Sequence, residues 1–249
     1  MKQKTVGRKK NKMKTPLWTA KVLTLFPRMF PGPLAYSLAG KGLEKGIWDL
    51  KTLDIRTFAI GNHAQVDDTP FGGGAGMVLR VDVLGKALKA ARSKTRPIYL
   101  TPRGQHLDQE RVRDLMSAPE ITLLCGRFEG IDERVLEAHD IEQLSLGDFV
   151  LSGGEPAAIA LIDACVRLLP GIVGTKESVR EESFEMGLLE YPQYTRPMEW
   201  EGHKVPELLL SGHHEKIRTW RREAAERITQ ESRPDMWHKY QERHLVIKD

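Results

Sequence analysis

Cysteine is scarce in this chain, with Cys125 and Cys165 the only two among 249 residues. Two cysteines exclude a disulfide framework and any four-cysteine zinc site, and they fit a reducing compartment. No apolar run approaches the roughly 18 residues of a membrane span, and no apolar stretch follows the basic N-terminus as in a secretory signal peptide. We therefore expect a cytoplasmic protein with no membrane partner.

Outside its N-terminal segment, the chain has no excess of positive charge. The sequence has 38 Lys and Arg against 34 Asp and Glu, but residues 1–16 hold seven of the basic side chains and no acidic one. The rest of the chain is therefore slightly acidic. Residues 1–16 contain too little apolar surface to offset the entropy of ordering, so we expect a disordered basic tail. Such a tail is either a solvated extension or a weak, salt-sensitive phosphate contact.

Strand-like and helix-like patterns alternate from about residue 21 to residue 170. The predicted strands cover residues 21–26, 49–58, 97–101, 120–125 and 141–146. One predicted helix covers residues 81–92, and a second is opened by Asp108 as its N-cap. A third is predicted to begin at Asp132, and a fourth covers residues 155–169. This order predicts an α/β fold with a mostly parallel sheet and helices on both faces. Ligands of such sheets bind in loops beyond the carboxyl ends of the strands.

The character of the chain changes after residue 170. Residues 171–190 are rich in glycine and glutamate and have little apolar periodicity, which predicts a flexible linker. Residues 191–249 are predicted to form a small helical domain, in which Ser211 caps a long helix that runs to about residue 230. The predicted organisation is thus a tail at 1–16, a main domain at 17–170, the linker and this helical domain.

Four glycine-rich turns carry the strongest functional signal, at residues 71–77, 99–104, 125–134 and 146–155. The first is not a Walker A loop, because no Gly-Lys-Ser/Thr follows, and Leu79 occupies the third glycine position of a dinucleotide fingerprint. The other three follow consecutive predicted strands and should therefore meet at one edge of the sheet. Glycine lets backbone groups approach a flat ligand such as adenine, and the lack of a phosphate-binding lysine argues against a nucleoside triphosphate. Taken singly, each turn also fits an ordinary β–α connection.

Eight motifs occur in order along the chain, within a resemblance that runs from about residue 21 to residue 237. They are FGGGAGM, LTPRGQ, CGRFEGIDER, LGDFVLSGGE, RLLPGIVG, EESFEMGLLEYPQYTRP, VPELLLSGHH and EKIRTW. In this combination the chain resembles the bacterial tRNA (guanine-N1)-methyltransferases of the TrmD type, members of the SPOUT superfamily. The resemblance implies transfer of a methyl group from S-adenosylmethionine to N1 of the guanine immediately 3′ of the tRNA anticodon. It further implies a deep trefoil knot in residues 17–170 and a tRNA-binding helical domain at 191–249.

The resemblance also implies partners and site residues. The enzyme is expected to be a homodimer with a composite active site that binds the tRNA anticodon stem-loop, with Mg²⁺ assistance whose ligands no spacing in the chain identifies. The implied cofactor-binding residues lie in the last three glycine-rich turns: Tyr99, Leu100, Thr101, Pro102, Gly126, Glu129, Leu146, Gly147, Asp148, Phe149, Val150, Leu151, Gly153 and Gly154. The implied catalytic residues are Glu182 as general base, Arg167 as the guanidinium that stabilises charge on O6, and Glu190 as a second acidic position. Glu182 stands where the family has an aspartate.

The sequence is also compatible with two other classes of protein. One is a nucleotide-binding enzyme such as a dehydrogenase, which the incomplete dinucleotide fingerprint disfavours. The other is a non-catalytic RNA-binding protein, which the slightly acidic body and the set of glycine turns disfavour.

Overall fold

The computed structural model describes residues 15–59, 61, 64–173, 182–184 and 186–245. Most of the predicted basic tail (residues 1–14) and part of the predicted linker (residues 174–181 and 185) lie outside these ranges. The chain divides into two compact units, Met1–Val173 and Gly174–Asp249.

The first unit is built on a parallel sheet of five strands. These are β1 (Trp18–Thr24), β2 (Trp48–Asp54), β5 (Ile98–His106), β6 (Glu120–Leu124) and β7 (Glu142–Ser145), in the spatial order β2-β1-β6-β5-β7. A short antiparallel pair, β3 (Asp67–Asp68) and β4 (Val78–Leu79), lies outside this sheet. The prediction that the second strand reaches residue 58 is wrong. Asp54 accepts a hydrogen bond of 2.9 Å from the Arg56 N–H, which caps a short 3-10 helix at Ile55–Phe58 and ends the strand.

Five helices accompany the sheet in the described part of this unit. They are α1 (Ser37–Glu44), α2 (Val81–Ala91), α3 (Gln109–Ser117), α4 (Glu133–Ala138) and α5 (Glu155–Val166). The predicted cap of α3 is confirmed, because Asp108 accepts from the Arg111 N–H at 2.8 Å. The helix predicted from Asp132 is α4, and Asp132 caps it by accepting from the Arg134 N–H at 3.0 Å. Helix α1 was not expected, since two glycines interrupt its pattern.

The apolar core lies on both faces of the sheet. All five residues of β6 are buried, as expected of a central parallel strand. Side chains of α3 and α5 pack on one face, and side chains of α2 and α4 pack on the other. The prediction of a parallel α/β sheet covered on both faces is therefore confirmed.

The second unit contains a short hairpin and three helices in its described residues. Strands β8 (Glu199–Trp200) and β9 (His203–Lys204) precede α6 (Glu207–Leu210), α7 (His214–Ser232) and α8 (Pro234–Leu245). The prediction that Ser211 caps the long helix is wrong. Its hydroxyl instead donates to the Leu208 carbonyl at 2.7 Å and accepts from the His213 N–H at 3.2 Å, so that α7 begins three residues later. Within the described ranges, no helix has the length and apolar character needed to cross a bilayer.

Candidate functional site

A pocket of the first unit lies where β6 and β7 end, on either side of β5. The loops that follow β6 and β7 meet residues 99–103, which were predicted as part of a turn but lie within β5. Together they enclose a pocket of about 440 Å³, which we call the sheet-edge pocket. This is the edge at which doubly wound sheets bind ligands.

The sheet-edge pocket gathers nearly all of the predicted cofactor residues. Its lining includes Tyr99, Leu100, Thr101, Pro102, Gly126, Glu129, Leu146, Gly147, Phe149, Val150, Leu151, Gly153 and Gly154. Asp148 is the exception: it is not among the lining residues, and its side chain is 93% exposed, 3.4 Å from Nε2 of His106.

Glycine shapes this pocket because side chains would not fit at two positions. A Cβ on Gly126 would lie 2.7 Å from Cε2 of Tyr99, and a Cβ on Gly154 would lie 2.8 Å from the Cα of Cys125. The Gly154 N–H donates to the Gly126 carbonyl at 2.9 Å, so the two loops are joined directly at the pocket. The result is a cavity with main-chain atoms close to its interior, which suits a flat ligand.

Several lining residues were missed by the sequence analysis. Arg103 and Glu133 face each other at 2.8 Å, and Arg127 lies beside Gly153. All three lie within or beside the quoted motifs, so proximity to a predicted residue was the available signal. No lysine is found among the described residues that line the pocket.

Burial shifts the pKa values of Tyr99 in the pocket lining and of the two cysteines in the core. Burial raises the pKa of Tyr99, so its phenol stays protonated at neutral pH and able to donate a hydrogen bond. Burial likewise holds the pKa of Cys125 well above the usual thiol value and raises that of Cys165 to about 12. Both thiols are therefore poor nucleophiles, which agrees with cysteines that serve as core residues.

Arg167 lies away from the sheet-edge pocket. It is the half-buried C-cap residue of α5, whereas the pocket is lined by Gly154 and Ala157 at the start of the same helix. The helix has 12 residues. A rise of about 1.5 Å per residue therefore puts roughly 18 Å between its two ends.

Glu182 and Glu190 line a pocket of about 490 Å³ in the second unit, beside α7. Its other charged lining residues are Glu215, Arg218, Arg221 and Arg222. We call it the α7 pocket.

Hydrogen bonds fix the loop that carries the two glutamates. The Ser183 hydroxyl accepts from the Glu190 N–H at 3.0 Å, and the buried Thr229 hydroxyl of α7 accepts from the Leu189 N–H at 2.8 Å. The Glu190 carboxylate accepts from Nε2 of Gln193 at 2.9 Å. The structure thus brings Glu182 and Glu190 together in the second unit.

The described residues contain no group of three or more His, Cys, Asp or Glu side chains placed to hold a metal ion. They therefore do not identify ligands for the Mg²⁺ that the sequence resemblance implies.

Comparison with known proteins identifies the family of this chain. Residues 18–239 match the family described as tRNA (Guanine-1)-methyltransferase TrmD. A tRNA (guanine-N(1)-)-methyltransferase of Rhodospirillum rubrum is 60% identical over 222 residues, which cover 89% of this chain and 93% of the relative. Proteins of the same name from a Ruegeria species and from Gluconobacter oxydans are 58% and 57% identical and cover 91% and 92% of this chain, and 95% and 99% of their own lengths. The chain therefore belongs to the tRNA (guanine-N1)-methyltransferase family of the TrmD type.

Proposed function

We propose that this protein transfers a methyl group from S-adenosylmethionine to N1 of the guanine immediately 3′ of a tRNA anticodon, with the cofactor bound in the sheet-edge pocket. The observation that carries the proposal is that the glycine-rich loops after β6 and β7 meet residues 99–103 of β5 in one pocket at the carboxyl edge of a parallel sheet, in a chain of this family.

The sheet-edge pocket suits S-adenosylmethionine better than a nucleoside triphosphate. The close approach of Gly126 to Tyr99 leaves main-chain groups available for an adenine edge and a ribose. The described lining contains no lysine for phosphates but includes the carboxylate of Glu129, which can pair with an amino group. When bound, the sulfonium of S-adenosylmethionine supplies an already activated methyl group.

The protein then has to prepare the guanine. N1 of guanine carries a proton at neutral pH, so its lone pair becomes available only when a base removes that proton. Glu182 is our candidate for the base, and Glu190 is the second carboxylate of the same pocket. Negative charge that develops on O6 requires a preorganised donor, and the Arg167 guanidinium is suited to this role.

Geometry within one chain favours a composite active site in a homodimer. Roughly 18 Å of α5 separate the pocket end of the helix from its Arg167 end, which is far more than an arginine side chain spans. A second copy of the chain can bring its own Arg167, Glu182 and Glu190 to the cofactor of the first. The site would then form only in the dimer.

The trefoil knot belongs to the same proposal. The hydrogen bond between Gly154 and Gly126 brings the start of α5 back to the loop after β6. This is the region in which SPOUT enzymes thread their chain. We further propose that the second unit, with the exposed arginines of α7, contacts the anticodon stem-loop.

Calorimetric titration distinguishes the proposed methyltransferase from a dehydrogenase and from a non-catalytic RNA-binding protein. S-adenosylmethionine, NAD and an unmodified tRNA transcript are titrated separately into the full-length protein. We expect binding of S-adenosylmethionine and tRNA and no heat from NAD. Binding of NAD would support a dehydrogenase, and binding of tRNA without S-adenosylmethionine would support a non-catalytic RNA-binding protein.

A further inference from the structure

Glu155 is a buried carboxylate that the proposed methyl transfer does not use. It is the first residue of α5, its exposure is 0%, and it is not among the residues that line the sheet-edge pocket. A carboxylate without water is costly unless its charge is paired and hydrogen-bonded. The groups that pair with the Glu155 carboxylate therefore indicate its role.

The partners of Glu155 come from two other segments of the sheet edge. Its Oε1 accepts a hydrogen bond of 2.6 Å from the Thr24 hydroxyl, at the end of β1. Its Oε2 lies 2.7 Å from Nη2 of Arg127, in the loop after β6, and the Arg127 side chain is only 17% exposed. One carboxylate thus ties together the end of β1, the loop after β6 and the start of α5.

Arg127 connects the buried Glu155 carboxylate to the wall of the sheet-edge pocket. Its Nη1 donates to the Ser152 carbonyl at 3.0 Å, and its guanidinium lies 4.5 Å from the centre of the Phe26 ring. A Cβ on Gly153 would overlap the Arg127 guanidinium, so the loop lies directly against that group. The pocket lining includes Arg127, Ser152 and Gly153. The guanidinium therefore holds in place the backbone that forms this part of the pocket wall.

We propose that Glu155 is a positioning residue for cofactor binding, acting through Arg127 to hold residues 152–154 in the conformation that receives S-adenosylmethionine. This inference rests on the proposed function. Buried ion pairs are better attested as devices that specify one geometry than as sources of net stability, and here the geometry they specify is that of a pocket wall. Glutamine at 155 has one acceptor oxygen and no charge, so it cannot serve both the Thr24 hydroxyl and the Arg127 guanidinium as the carboxylate does, and the hold on Arg127 is weakened.

The test is calorimetric titration of S-adenosylmethionine into full-length Glu155→Gln, with steady-state kinetics on tRNA. We expect the Kd and the KM for S-adenosylmethionine to rise at least about tenfold, because a wall displaced by less than an ångström loses well-aligned contacts. The KM for tRNA should stay unchanged, and kcat should change less than the cofactor KM. A Kd within about twofold of the wild-type value would overturn the proposal.

A matched control separates positioning from stability. Glu142 forms a comparable pair with Arg111, with Oε2 2.6 Å from Nη2 and 15% of the carboxylate side chain exposed, but it does not line the pocket. Glu142→Gln should therefore leave the Kd for S-adenosylmethionine unchanged, whatever its effect on the unfolding midpoint. An equal rise in Kd in both variants would reduce Glu155 to a general structural role and contradict the proposal.

A second pair of variants keeps the test decisive if Glu155→Gln does not fold. Thr24→Val removes the hydroxyl that donates to Glu155, and Thr24→Ser retains it. We expect weaker cofactor binding in the valine variant and nearly wild-type binding in the serine variant, whereas equal affinities would overturn the proposal. A wild-type protein that fails to bind S-adenosylmethionine would instead overturn the proposed function.

Discussion

Individual carboxylates in this protein have different tasks because their surroundings differ. Glu155 is buried and paired with Arg127, which keeps it in one place. Glu182 and Glu190 line an open pocket with several arginines, where a carboxylate is able to meet a substrate. Asp132 is the N-cap residue of α4, and its side chain accepts a hydrogen bond from a main-chain N–H of that helix. Replacement of Glu182 and replacement of Asp132 test two of these assignments.

Replacement of Glu182 tests the proposed base. Glu182→Gln should lower the single-turnover rate of methyl transfer by about 10² to 10⁴ fold, as expected for loss of a general base, with little change in cofactor affinity. Glu182→Asp should retain much more activity because it keeps the carboxylate. Single-turnover conditions are needed because product release can hide a slower chemical step.

The control for this replacement is Glu207→Gln, an exposed residue of α6 in the same unit, which should keep the wild-type rate. If Glu182→Gln methylates tRNA at the wild-type rate, Glu182 is not the base and Glu190 becomes the candidate.

The Asp132 cap makes a pH-dependent contribution to stability. The hydrogen bond from the Arg134 guanidinium lowers the pKa of Asp132 below its ordinary value of 3.8. A lowered folded-state pKa means that the contribution is complete above the ordinary value and is lost as the pH falls through the folded value. Asp132→Ala should therefore reduce the free energy of unfolding by about 1 kcal/mol at pH 7, and by less near pH 3.

Urea unfolding at several pH values measures this difference. Glu137→Ala, an exposed change in the same helix, should stay within about 0.5 kcal/mol of the wild type at every pH. A gap between Asp132→Ala and wild type that does not narrow on acidification would contradict the assignment of the cap.

At the scale of elements, glycine decides how closely the pocket loops approach one another. Gly126→Ala would place a Cβ 2.7 Å from the Tyr99 ring, so the ring or the loop has to shift, and both line the pocket proposed for the cofactor. We expect a folded protein with S-adenosylmethionine affinity reduced at least about tenfold, measured by calorimetry.

A second glycine provides the control for this change. Gly85→Ala lies inside α2, where the new Cβ would meet Nε2 of His139 at an ordinary 3.6 Å. Alanine in a helix interior should stabilise the protein by about 0.5–1 kcal/mol and leave cofactor binding unaltered. Equal affinities for Gly126→Ala and Gly85→Ala would remove the loop after β6 from the cofactor site.

Sequence patterns predicted which strands and helices form more accurately than they predicted where each one begins or ends. Alternating patterns, the cap Asp108 and the helix start at Asp132 indicated the strands and helices around the sheet, because local hydrogen bonds and burial determine them. The end of β2 and the start of α7 were misplaced because Asp54 and Ser211 each make a different local bond from the one assumed. The ion pair of Glu155 was not foreseen, since its partners lie 28 or more positions away in the chain.

The candidate site was predictable only in its loops. Glycine turns after consecutive parallel strands have to meet at one edge, and residues 126–130 and 147–154 do so. Asp148 is outside the pocket lining, because its exposed carboxylate lies 3.4 Å from Nε2 of His106. No local pattern could have placed Arg167 at the far end of α5 from that pocket.

At the scale of the whole molecule, the proposed reaction uses groups from two units of the chain. The cofactor residues belong to the first unit, and Glu182 and Glu190 belong to the second. If the active site is composite, lesions in the two units should complement each other in a heterodimer.

Co-expression of differently tagged Gly126→Ala and Glu182→Gln chains tests this arrangement. With S-adenosylmethionine held well below the Kd of Gly126→Ala, each variant by itself should have little activity, whereas a heterodimer keeps one intact site. A statistical mixture of dimers should therefore recover about a quarter of the wild-type activity. Purified heterodimers no more active than either parent would contradict the composite site.

The central claim is the chemistry itself, and the most direct measurement is to locate the transferred methyl group. Full-length protein is incubated with methyl-labelled S-adenosylmethionine and unmodified tRNA transcripts that carry either guanine or adenine immediately 3′ of the anticodon. Nuclease digestion and mass spectrometry then identify the labelled nucleoside and its position. We predict 1-methylguanosine at that position in the guanine transcript and no label in the adenine transcript. Label on another atom or at another position, or no label although S-adenosylmethionine binds, would contradict the account.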